Sequence, residues 1–132
     1  MKKLYTVITA VIIAAMCLFL LTGCGEETYT IDGVEVSDIR VIDMGGGFLN
    51  FRMKVKNDSK EDKYLDAKKL TLQLSDGAGL PHYGGVELCL AQSEDELSFM
   101  IEGNHPNLKI GDKIVVFNDG KKLCEIELTD TV

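Results

Sequence analysis

Leu49, Phe51, Met53 and Val55 alternate with Asn50, Arg52, Lys54 and Lys56. No other feature restricts the fold of this chain so strongly. Successive side chains of a strand point to opposite faces, so strict period two describes a strand with one buried face and one wet face. The pattern returns at Leu70, Leu72 and Leu74, at Val86, Leu88 and Leu90, and at Leu97, Phe99 and Ile101. Lys113 to Phe117 is a compact β-branched run that reads as a central strand, and Leu123 to Leu128 reads as its closing partner. Gly, Asn and Asp punctuate these segments, which is the all-β signature.

The turns can be placed as well. Asn118-Asp119-Gly120 makes a tight hairpin, with Gly120 suited to positive φ. Gly45-Gly46-Gly47 is a hairpin connection and not a phosphate loop, since no Gly-Lys-Ser/Thr follows it. Val34 and Val36 share a phase that Ile39 and Val41 do not, so a bulge or a change of sheet is expected at Ser37-Asp38. Asn57 to Ala67 is expected to be a loop with at most one helical turn. About seven strands joined by short turns predict a two-sheet sandwich of immunoglobulin-like architecture. Residue 29 to residue 132 is its expected extent.

A different pattern precedes this domain. Lys2 and Lys3 lead into an apolar run from Leu4 to Leu20, which ends at Leu21-Thr22-Gly23-Cys24. The charge, the apolar length and the small residues before a cysteine resemble the leader of bacterial lipoprotein precursors. The resemblance implies a signal helix over residues 1–23, cleavage before Cys24 and a diacylglyceryl group on the Cys24 sulfur. Residues 24–28 would then be the lipidated cysteine and a short tether. The membrane is the partner so implied, and the covalent lipid is the only non-protein group expected. The alternative is an uncleaved anchor, since a helix of about 19 apolar residues just spans a bilayer.

Charge narrows the choice of partners. The chain carries 14 basic and 21 acidic residues, a net −7. Loss of Lys2 and Lys3 with the leader leaves 12 against 21, a net −9. Phosphate contacts need clustered Lys and Arg, so nucleic acid is not an expected partner. Flat adsorption on anionic lipid is disfavoured for the same reason.

Catalytic groupings are not apparent. His82 and His105 stand apart from each other and from any Cys-x-x-Cys, so no metal site is expected. Glu94-Asp95-Glu96 and Glu61-Asp62 read as solvated acidic loops. There is no Gly-x-Ser-x-Gly, and no enzyme activity is expected. Cys89 and Cys124 remain after Cys24. An exported pair invites a disulfide, provided that the Cα atoms come within about 7 Å. Buried free thiols are the alternative, since cysteine packs as a small hydrophobe. The loop from Gly77 to Gly85 offers Leu80, His82 and Tyr83 as binding groups, and the alternative is that Leu80 and Tyr83 plug the end of the sandwich.

Phe51-Arg52-Met53-Lys54-Val55-Lys56-Asn57, a polar loop, and then Leu70 to Gly77 look like the centre of Ig-like domains on Gram-positive surface lipoproteins. That resemblance is structural and carries over no functional residue. Together these observations predict a monomeric, lipid-anchored domain on the outer face of the cytoplasmic membrane. It would act as a binding or interaction module for an envelope or extracellular protein. The other class to consider is a small inhibitor or protective lipoprotein that blocks an enzyme, a phage or a toxin.

Overall fold

The computed structural model describes residues 27–130, and the expected leader helix lies outside them. Nine strands form among the described residues: β1 (Tyr29–Ile31), β2 (Val34–Gly45), β3 (Phe48–Asn57), β4 (Lys63–Asp66), β5 (Leu70–Leu74), β6 (Val86–Cys89), β7 (Ser93–Met100), β8 (Lys113–Asn118) and β9 (Lys121–Glu127). They make a four-stranded sheet ordered β1-β2-β3-β7, a three-stranded sheet ordered β5-β8-β9, and a two-stranded ribbon of β4 and β6. Every pairing between these strands is antiparallel.

One core joins the sheets. Val41, Phe51, Met53 and Phe99 from the larger sheet cluster with Leu70, Leu72, Ile114 and Val116 from the smaller one. Of the residues that alternate with them on β3, Arg52, Lys54 and Lys56 are wetter and carry charge, whereas Asn50, expected on the wet face, is buried because its amide donates to the Phe99 carbonyl. Lys56 pairs with Glu94, and Arg52 with Glu96. Glu94, Asp95 and Glu96 are therefore part of β7, opposite Lys56, Val55 and Lys54, and not a loop. Cross-strand lysines offset the low strand propensity of these acids, a long-range effect that the local sequence does not contain.

The expected slip in β2 is present. The register shifts between Ser37 and Arg40, and Asp38 takes φ 49°. Beyond the shift, β2 also changes its outer neighbour. Val34 to Val36 pair with β1, whereas Val41 and Asp43 hydrogen-bond Thr129. Asp119 and Gly120, at φ 51° and 80°, form the β8–β9 hairpin as expected. Two short strands, β1 and β4, were not legible. The segment expected to be a loop from Asn57 to Ala67 holds β4, and a single 3-10 turn then covers Ala67–Lys69. The Asp66 carboxylate accepts from the Lys68 N–H and caps that turn.

Candidate interaction surface

The loop from Gly77 to Gly85 does not protrude. Leu80 donates its N–H to the Leu72 carbonyl, and Glu102 donates to the Pro81 carbonyl. His82 bridges to Ile101. The loop thus lies along β5 on one side and runs past the end of β7 on the other. Its three candidate side chains have different fates.

Leu80 is 2% exposed and belongs to the core. His82 is also a packing residue. Its Nδ1 accepts the Gly84 N–H at 2.9 Å, so Nε2 carries the proton and donates to the Leu70 carbonyl at 2.6 Å. The imidazole stacks on Phe99, with centroids 5.7 Å apart, and meets Phe51 edge-on at 5.2 Å. Gly84 fits closely against it, since a Cβ there would lie 2.7 Å from Nδ1. Tyr83 alone points outward, with 69% of its surface exposed, and its N–H donates to Met100. The plug of the sandwich end is therefore Leu80 with His82, and not Leu80 with Tyr83.

The chain leaves this loop directly into β6, and here the expected phase is reversed. Val86, Leu88 and Leu90 face solvent, whereas Cys89 is buried. Tyr64 lies opposite Leu88 across the ribbon and is 63% exposed. The inward face is held by Leu65, fully buried, and by Asn57, whose amide donates to the Cys89 carbonyl at 2.8 Å. A two-faced ribbon places one side inward, and the core at this position accepts the small thiol in preference to leucines. The result is an apolar stripe of Tyr64, Val86 and Leu88 on paired strands, continued by Leu90 just past β6. These four and Tyr83 make up five of the nine large apolar side chains exposed among the described residues. The apolar alternation at 86–90 was visible in the sequence, but its direction was not.

Cys89 and Cys124 are free thiols. Burial pushes both above the usual thiol range. Their surroundings differ. Cys89 sits by Leu65 and Glu87, while Cys124 lies against Tyr29. Burial, and a 2.7 Å hydrogen bond to Glu27, hold the Tyr29 phenol well above its ordinary value. An open groove of about 710 Å³ is lined by Glu27, Tyr29, Asp38, Glu125, Glu127 and Lys113, and there Lys113 pairs with Glu125. Among the described residues no group of three or more His, Cys, Asp or Glu is arranged to hold a metal ion. His105 lies in the 101–108 loop, where its N–H donates to Gly47 and its Nε2 contacts the Glu102 carbonyl. Cys24 lies outside the described residues.

No family model matches the chain, and no curated protein matches it. Among solved structures it is similar to ycdA of Bacillus subtilis subsp. subtilis str. 168, a protein provisionally called a lipoprotein, with 15% identity and a TM-score of 0.48. The likeness covers 77% of this chain and spans only 38% of the length of that one. The sheets described above, and not this likeness, define the fold.

Proposed function

We propose that this chain is a lipid-anchored, extracytoplasmic Ig-like module that binds another protein of the cell envelope through the outer face of β4 and β6. The lipobox at Leu21 to Cys24 supplies the anchor and puts the domain on the outer face of the cytoplasmic membrane. The apolar stripe carries the binding reading. Tyr64, Val86 and Leu88 stand on hydrogen-bonded strands, with Leu90 just past the end of β6, so they are ordered before any partner arrives. Ordered aromatic and aliphatic side chains form interface anchors at low entropic cost.

A blocking inhibitor would favour a protruding loop. The Gly77–Gly85 loop is tied down along its length, and only the Tyr83 side chain projects. The flat strand face therefore supports the module over the inhibitor. The test is photo-crosslinking in the native cell, with a crosslinking residue at Tyr64 and, as a control, at Lys121 on the β8–β9 turn. One discrete adduct is expected from position 64. It should disappear when Leu88→Glu is added, with the melting temperature unchanged. Equal adducts from both positions, or an adduct insensitive to Leu88→Glu, would exclude the ribbon as the contact.

A further inference from the structure

We infer that the ribbon takes its partner as an added strand: an extended segment, with apolar residues on either side of a lysine or arginine, pairs with the open edge of β6. This rests on the reading of β4 and β6 as the binding surface. The hydrogen-bond alternation of the ribbon carries it. Ala67 donates its N–H to the Gly85 carbonyl, and the register places Leu65 opposite Glu87 and Lys63 opposite Cys89. In an antiparallel pair, residues that exchange hydrogen bonds alternate with residues that do not. The backbone groups of Glu87 and Cys89 therefore point toward β4, and those of Val86 and Leu88 point away from it. Asp66 shows the same phase on β4, since its N–H goes outward to Asp32 Oδ2 at 3.0 Å. β6 has no strand neighbour besides β4, and no described residue bonds the outward N–H and C=O groups of Val86 and Leu88.

The other open margins of the sheets are guarded, and this one is not. Strand edges in soluble proteins are commonly blunted by charge. β7, at the margin of the larger sheet, carries Glu94, Asp95 and Glu96, and β9, at the margin of the smaller one, carries Lys122, Glu125 and Glu127. On β6 the residues with free backbone groups are apolar, Val86 at 58% exposure and Leu88 at 48%, and Glu87 is its sole charge. An added strand would satisfy that backbone, and its alternate side chains would lie beside Val86 and Leu88 on the outer face. Glu87 selects the residue between them. It lies opposite Leu65, and among the described residues no lysine or arginine pairs with it. Opposite charges on neighbouring strands attract, so a cation on the incoming segment completes the pattern. The net charge of −7 favours such a segment at longer range as well.

Photo-crosslinking in the native cell tests this, with the crosslinking residue placed at Leu90, beside the edge, and separately at Tyr64. Three substitutions are then added to the chain that carries it at Leu90. Val86→Pro deletes one edge N–H and keeps an apolar side chain. That N–H points away from β4, so the ladder of the ribbon is left whole. Val86→Ala trims the side chain and keeps the N–H, and Glu87→Lys reverses the charge. Val86→Pro and Glu87→Lys should each lower the adduct yield about tenfold, as one unmade hydrogen bond or one repelled charge does in a dried interface. Val86→Ala should lower it far less, and melting temperatures should stay at the parent value. Equal losses with Val86→Pro and Val86→Ala would mean that the side chains dock alone, and would overturn strand addition. An unchanged yield with Glu87→Lys would overturn it whether or not Val86→Pro folds. The crosslinked segment should hold a lysine or arginine between two apolar residues. A segment without one, or an adduct of twice the mass of this chain (a second copy), would overturn it too. An adduct from position 64 without one from position 90 removes strand addition alone, whereas no adduct from either removes the ribbon reading and strand addition together.

Discussion

His82 donates from Nε2 to the backbone carbonyl of Leu70 across 2.6 Å, and that bond ties the loop to the strand that opens the smaller sheet. A residue placed among candidate ligands by its chemistry is thus a structural bolt between Phe51 and Phe99. His82→Ala would leave the Leu70 carbonyl and the Gly84 N–H without partners and remove two ring contacts. The expected cost is about 2–4 kcal/mol. Urea unfolding would check it, and a loss below about 0.5 kcal/mol, the size of an ordinary surface change, would contradict the packing role.

Leu80 and Tyr83 should separate cleanly. Leu80→Ala empties a core position and should cost about 2–5 kcal/mol. Tyr83→Ala removes an exposed ring and should change stability by no more than about 0.5 kcal/mol. A pair of melting curves decides the matter, and a large fall for Tyr83→Ala would show that the ring packs against the fold.

Phe51 is fully buried at the centre of β3. Truncation to alanine should cost about 3–5 kcal/mol in equilibrium denaturation. The neighbouring Arg52, on the wet face, should tolerate replacement by Lys far better, because its partner Glu96 is exposed and surface ion pairs contribute little.

Asp32 offers a pH signature. Its carboxylate accepts the Asp66 N–H and pairs with Lys69 Nζ at 2.7 Å, and these hold it below its ordinary value of 3.8. A carboxyl depressed in the folded state stabilises the fold above its unfolded pKa. That contribution is lost as pH falls from about 4 through the lower folded value. Asp32→Asn should therefore flatten the acid side of the stability profile and leave its slope between pH 6 and pH 8 as it was (about two units above any carboxylate transition). Melting temperature against pH for the two proteins measures this, and identical acid limbs would remove Asp32 as a source.

The thiols give a simple count. Both Cys89 and Cys124 are free, and burial raises both. The mature lipidated protein should show two reactive thiols when denatured without reductant, and slow alkylation while folded at neutral pH. No thiol after denaturation would mean that the pair had joined.

How much of this was legible depended on range. The β3 alternation, the slip at Ser37-Asp38 and the Asp119-Gly120 turn are written in neighbouring residues, and the structure carries all three. β4 escaped notice because Lys63-Tyr64-Leu65-Asp66 has only one buried residue and becomes a strand by pairing with β6. At Val86 to Leu90, period two distinguished the faces, but hydrophobicity chose the wrong one to bury. A neighbour 32 residues away, Asn57, holds Cys89 inward. His82 was ambiguous for the same reason: the two phenylalanines that enclose it come from β3 and β7.

Thr129 has a consequence for how copies of this protein behave in a crowd. It accepts the Asp43 N–H at 2.7 Å and donates to the Val41 carbonyl at 3.2 Å, covering the margin of β2 that β1 stops short of. A strand of twelve residues with a bare margin is a template on which further chains can stack. The few residues after β9 close that margin as a zip fastener is closed by its last teeth. A proteolytic nick there would remove no core side chain but Leu128, yet it would uncover the Val41–Asp43 margin as a template for other copies.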